Sequence, residues 1–97
     1  MRESEIEKHF TKSSRQRGAL VRKLRWIGRN GAPDRVVIHK GFVFFVELKR
    51  PGGSTRISQT LEHRRLEHHG ANVAVLSTIE EVNIWIEKNL GPESTRA

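Results

Sequence analysis

Asp34 and Glu47 are the two residues of this 97-residue chain best placed to do chemistry together. Asp34 follows Pro33, and Glu47 lies in the stretch Val46-Glu47-Leu48-Lys49. On an extended segment alternate side chains share a face, so Glu47 and Lys49 point to one side and Leu48 to the other. Two carboxylates held close repel, and one keeps its proton to higher pH unless a cation lies between them. A hard divalent ion such as Mg²⁺ (or Mn²⁺) takes oxygen ligands and retains several waters. Asp34, Glu47 and the Leu48 carbonyl would form its protein ligands. Such an ion acidifies a bound water and stabilises charge on a phosphate. Lys49 would orient or deprotonate the water, or neutralise the developing charge. Together these are the parts of a phosphodiester hydrolase.

The surrounding pattern must bring the two carboxylates together. Arg35 to His39 is a β-branched run, and Phe42 to Lys49 is rich in strand formers. Lys40-Gly41 between them is a tight-turn pair, so the segment reads as a hairpin. A register centred on that turn sets Asp34 opposite Glu47, with directly opposed Cβ atoms about 4.5–5.5 Å apart. Arg35 then turns to the opposite face and is expected to be structural or in a pair. Pro51-Gly52-Gly53 ends the hairpin.

The other elements follow from periodicity. A first helix is expected from Ser4 to Ser13, with Ile6 and Phe10 on one face, and a loop from Ser14 to Gly18. Ala19 to Ile27 fits either a helix or a strand with Leu20, Leu24 and Trp26 on one face; the glycines at Gly28 and Gly31 favour the strand. A helix starting at Ser54 or Ser58 runs to His69 and stops at Gly70. Asn72 to Leu76 is a short buried strand. Thr78 caps a last helix that ends near Asn89, with Val82, Trp85 and Ile86 as its stripe. A strand–helix–strand crossover favours parallel pairing. The fold class is α/β, a small mixed sheet flanked by helices. One domain is expected over 1–90, with a polar, frayed tail over 91–97.

Gly31-Ala32-Pro33-Asp34-Arg35, then Phe45-Val46-Glu47-Leu48-Lys49-Arg50-Pro51-Gly52, then Gln59, resembles the VRR-NUC (virus-type replication-repair nuclease) domain of the PD-(D/E)xK superfamily. The resemblance runs from Glu3 to about Asn89. It implies a restriction-endonuclease-like core and divalent-metal-dependent cleavage of DNA. By that resemblance Asp34 and Glu47 are metal ligands, Lys49 is the catalytic lysine, and Gln59 stands beside the site on the following helix. It also implies an acid in the first helix; Glu3 and Glu7 both fit, and Glu3 is preferred. Small phage and bacterial members of the family look like homodimers that cut branched DNA, including four-way (Holliday) junctions. That places such a protein in replication or repair, in the cytoplasm of a bacterial or phage-infected cell, bound to the nucleoid.

Composition agrees with a polyanionic partner. Eighteen Lys and Arg against eleven Asp and Glu give a formal charge of +7. Eight basic residues and no acidic one lie between Lys8 and Pro33. From these, Arg15, Arg17, Arg22, Lys23, Arg25 and Arg29 are expected to contact DNA phosphates, and Arg50 and Arg56 flank the site. The absence of cysteine excludes disulfides and Cys-ligated metals. No apolar run approaches the roughly 20 residues of a membrane span. His63, His68 and His69 lack the spacing of a zinc motif and are expected at the surface. Trp26 and Trp85 are expected in the core or a dimer contact.

Blander readings exist for each feature. Pro-Asp is a common turn pair, Glu47 and Lys49 could pair on a solvated edge, and a charge run is usually a solvated face. The rival functional class is a non-catalytic basic nucleic-acid-binding module with a degenerate nuclease fold, which would not need metal. A structural RNA-associated basic protein would require no proximity of Asp34 to Glu47.

Overall fold

The computed structural model describes residues 1–93. Three helices, α1 (Glu3–Gln16), α2 (Ile57–His68) and α3 (Ile79–Leu90), surround a sheet of β1 (Leu20–Lys23), β2 (Arg35–His39), β3 (Phe42–Leu48) and β4 (Asn72–Leu76). The strands lie in the order β1-β2-β3-β4. The first two pairings are antiparallel and β3 with β4 is parallel. The mixed α/β sandwich expected from the sequence is therefore present, with α2 as the crossover.

The β2–β3 hairpin has the expected register. Lys40 (φ 50°) and Gly41 (φ 86°) are both left-handed, the conformation whose twist matches the flanking strands. Arg35 faces Val46 and His39 faces Phe42. One step beyond β2, Asp34 therefore stands at the level of Glu47.

The core lies on one side of the sheet, under α1 and α3. Ile6, Phe10, Val37, Val46, Leu48, Val82 and Ile86 are all buried there. Trp85 packs on Phe10 (centroids 5.6 Å apart) and edge-on to Phe44 (5.3 Å). Burying one side chain of this size contributes about 1.5–3 kcal/mol. Thr78 caps α3 as expected, its Oγ1 accepting from the Glu81 N–H at 3.0 Å.

Two expectations are corrected. First, α1 continues through Ser13 and Ser14 to Gln16, where a loop was expected from Ser14. Ser13 and Ser14 fall three and four residues after Phe10 on the buried face, so packing overrides the weak helix preference of serine. Second, the segment from Ala19 to Ile27 is a strand only over Leu20–Lys23, and Val21, not Leu20, faces the core. Pairing of Val21 with Val37 sets that parity. The last helix ends at Leu90, near Asn89 as expected, and Leu90 is buried. Of the tail expected over 91–97, residues 91–93 lie outside any helix or strand and 94–97 fall outside the described residues. Among the described residues no helix is long and apolar enough to cross a membrane.

Candidate active site

Asp34 and Glu47 meet on the sheet face opposite the main core, where α2 packs. The Leu48 N–H donates to Asp34 Oδ2 at 3.0 Å, which fixes the carboxylate at the end of β3. Leu48, whose carbonyl is expected to be a ligand, also positions Asp34 with its amide.

Glu47 is 1% exposed. Its Oε2 accepts from Gln59 Nε2 at 2.7 Å and lies 3.1 Å from Lys49 Nζ. Gln59 is oriented from its other end, where Oε1 accepts the Arg56 N–H at 3.3 Å. Glu47 Oε1 is buried without a hydrogen-bond partner among the described residues. Burial, and then the negative charge of Asp34, push the Glu47 carboxyl above its usual range, against the pull of Lys49 and Gln59. A buried anionic oxygen without a donor is costly. It suits a cation ligand, and a site with two carboxylates suits a hard ion that completes its shell with water and phosphate oxygens.

Glu3 is not brought into this site. It lies in the first turn of α1, and no group of three or more His, Cys, Asp or Glu suited to a metal occurs among the described residues. Glu7, the alternative, stands 3.6 Å from Arg35 on the other side of the sheet. Arg35 is therefore paired with a carboxylate, as expected of it.

The basic residues divide between surfaces. Arg15, Arg22, Lys23, Arg25, Arg29, Arg50 and Arg56 are exposed. Arg22 pairs with Val36 and so shares the carboxylate face, while Lys23 pairs with Arg35 and shares the other. Arg17 is half-buried and donates to the Ser13 carbonyl at 3.4 Å, closer to a structural role than the others.

Two positioning features escaped the sequence reading. The segment from Leu24 to Asp34 is held against α2 through Glu62. Trp26 Nε1 donates to Glu62 Oε2 at 2.7 Å, Arg65 donates to Oε1 at 3.2 Å, and Arg29 lies 3.7 Å from Oε1. Burial alone would raise the Glu62 carboxyl; Arg65, Trp26 and Arg29 outweigh it and hold it below its usual range. Trp26 is thus neither in the core nor free for a dimer contact by its indole N–H. Gly31 (φ +94°) lies so close to α2 that a Cβ there would sit 2.4 Å from the Ser58 carbonyl oxygen. The loop that ends in Asp34 and the helix that carries Gln59 are therefore one unit.

His63, expected at the surface, is 5% exposed and its Nε2 has no partner among the described residues. It lines a cleft of about 250 Å³ with Thr55, Thr60, Arg64, Glu67, Val73 and Val75. Glu62 and His63 fall three and four residues after Gln59, and that spacing is the signal that placed them on the buried face. Burial, helped by Lys49, depresses the His63 imidazole, while Glu67, Asp34 and Glu62 oppose the shift. The unfolded imidazole takes its proton near 6.5 and the folded one only at lower pH. Acid therefore loads protons onto the unfolded chain first, and stability falls as the pH drops below 6.5. His63→Gln is expected to lose less thermal stability than the parent between about pH 7 and about pH 5.5. Parallel melting curves against pH would assign the acid sensitivity elsewhere.

Known proteins share this chain's sequence and shape. No protein-family model matches the chain. A phage protein named "Putative nuclease p44", from Acyrthosiphon pisum secondary endosymbiont phage 1, is 40% identical over 79 residues, which are 80% of this chain and 85% of that protein. A solved structure described as "VRR_NUC domain" superposes with a TM-score of 0.84 at 36% identity, covering 90% of this chain and 96% of its own.

Proposed function

The chain belongs to the VRR-NUC nucleases of the PD-(D/E)xK superfamily, and from that premise we propose that it is a DNA endonuclease that hydrolyses phosphodiester bonds with Mg²⁺ or Mn²⁺. The observation that carries this reading is the buried Glu47 Oε1, without a partner among the described residues, at the level of Asp34, with Lys49 and Gln59 holding the other oxygen. Asp34, Glu47 Oε1 and the Leu48 carbonyl would hold the ion. When bound, it supplies an acidified water and charge stabilisation at the phosphate.

The chain's own groups do the rest. The Leu48 N–H and Gln59 amide hold the two carboxylates at fixed positions before substrate arrives. Such preorganisation leaves no reorganisation for the reaction step. The Lys49 ammonium, 3.1 Å from Glu47, would orient the attacking water and offset the charge developing on the phosphate oxygens. Arg22, Arg25, Arg50 and Arg56 bind flanking phosphates and set the strand in register.

The preferred substrate is branched DNA such as a four-way junction, cut by a homodimer that offers two sites to strands related by a two-fold axis. Leu20, Ile38 and Val43, exposed by 40–43%, are cross-strand neighbours in one row over β1, β2 and β3. An apolar row of this kind, left open beside α2, is suited to a second copy of the chain. Such an enzyme works where the DNA is, in the cytoplasm of a bacterial or phage-infected cell.

Incubation with labelled four-way, flap and linear duplexes tests the reading. Cleavage is expected with Mg²⁺ or Mn²⁺, none in EDTA, and most on the four-way substrate. Binding without cleavage under every metal condition would instead make the chain a nucleic-acid-binding module with a degenerate nuclease fold. A monomer by sedimentation, with and without DNA, would overturn the dimer.

A further inference from the structure

The carboxylates face one side of the sheet, and a second concave surface lies on the other. Along the flank of α1 runs a groove of about 680 Å³ whose charged lining is Glu7, Lys8, Lys12, Arg15 and Arg35. Lys8, Lys12 and Arg15 are spaced by four and three residues, so they form one ridge. Helical rise separates the first from the last by about 10 Å, the axial span of about three phosphates of one DNA strand.

Arg35 belongs to the groove although its side chain is only 10% exposed. Its NH1 donates to the Asp34 carbonyl at 3.1 Å, and NH2 lies 3.6 Å from Glu7 Oε2, too far for a good hydrogen bond. A guanidinium has five N–H donors in a planar fork that matches a phosphate. Lys23 is the cross-strand partner of Arg35, so two cations lie side by side on this face, an arrangement that costs stability unless an anion intervenes. Four cations, Lys8, Lys12, Arg15 and Arg35, thus line the groove against one carboxylate, Glu7, with Lys23 beside Arg35 on the same sheet face.

We infer that this groove is a second phosphate-backbone site, which takes a duplex arm of DNA distinct from the strand held at Asp34 and Glu47. The inference rests on the nuclease reading and deepens it. Asp34 and Arg35 are adjacent in the chain with side chains on opposite faces of the sheet. The two sites therefore share the sheet end where β2 begins, and the DNA diverges around that end. A branched substrate supplies two such arms. Phosphate oxygens replace Glu7 as the partner of the Arg35 fork, and the α1 ridge follows the backbone.

Binding measured in EDTA, across a salt series, tests the site without any cleavage. The probes are a four-way junction and a linear duplex of the same arm length. Lys8→Glu with Lys12→Glu, both at exposed positions, is expected to weaken junction binding by about tenfold or more and to flatten the slope of log affinity against log salt by about 2. Glu7→Gln is expected to tighten junction binding several-fold, an effect no merely structural role of Glu7 would produce. The linear duplex should change far less in both cases. Unchanged junction affinity and slope would overturn the inference. Equal losses on both probes would also overturn it, by making the basic residues one continuous surface. Neither result touches metal-dependent cleavage, which stands or fails on its own assay.

Discussion

Glu47→Gln is expected to slow cleavage by on the order of 10³-fold while leaving the fold and DNA affinity intact. The substitution keeps the shape of the side chain and its contact with Gln59. It removes the charge that Oε1, buried without a partner among the described residues, brings to the site. Burial and the charge of Asp34 already push this carboxyl upward, so the neutral variant should melt no lower than the parent, and higher near neutral pH. The sign follows from linkage. The unfolded glutamate ionises near 4.5 and the folded one above it, so stability falls as the pH rises through that window, and only the parent pays this cost. Lys49→Ala should cost activity by a similar factor but behave differently in stability. It leaves Glu47, at 1% exposure, with Gln59 as its remaining donor, and should destabilise the fold by about 1–3 kcal/mol. Cleavage at the parental rate by either variant would refute the assignment.

Gly31→Ala is the second large effect. The position needs φ +94°, and its Cβ would stand 2.4 Å from the Ser58 oxygen, 2.9 Å from the Ser58 carbonyl carbon and 3.1 Å from Glu62 Cβ. Two of these atoms belong to the backbone of α2 and cannot rotate away. Either α2 or the loop must shift, and with it the distance from Asp34 to Gln59. Gly28 is the internal comparison: its φ is +78° but nothing among the described residues lies within 4 Å of a Cβ there. Gly28→Ala should therefore cost only the left-handed strain, about 1–2 kcal/mol. Gly31→Ala should cost more than twice that and lower cleavage by more than about tenfold. Similar melting temperatures for the two variants would show that the loop and α2 are not locked together.

The hairpin and its carboxylates were legible because local chemistry determines them. Lys40-Gly41 admits a two-residue turn of one hand, that turn fixes the register, and the strand period then assigns Glu47 and Lys49 to one face. The opposite orientation of Arg35 followed from the same parity. What stayed hidden depends on partners distant in sequence. Glu62 and His63 look like solvated helix residues until Trp26 and the β3–β4 surface are seen against α2. Ser13 and Ser14 look like a helix end until the core closes over them. Leu20 and Val21 are equally apolar, and only pairing with Val37 decides which is inside. Glu3 and Glu7 could not be ranked by spacing alone. The structure gives Glu7 to Arg35 and leaves Glu3 outside any three-residue metal cluster among the described residues.

A crystal of the protein soaked with Mn²⁺, with anomalous scattering recorded at the manganese edge, tests the central claim most directly. The expected result is a peak in contact with Asp34 and Glu47 Oε1 that disappears in Glu47→Gln. A peak elsewhere, or none at manganese concentrations that support cleavage, would contradict the account.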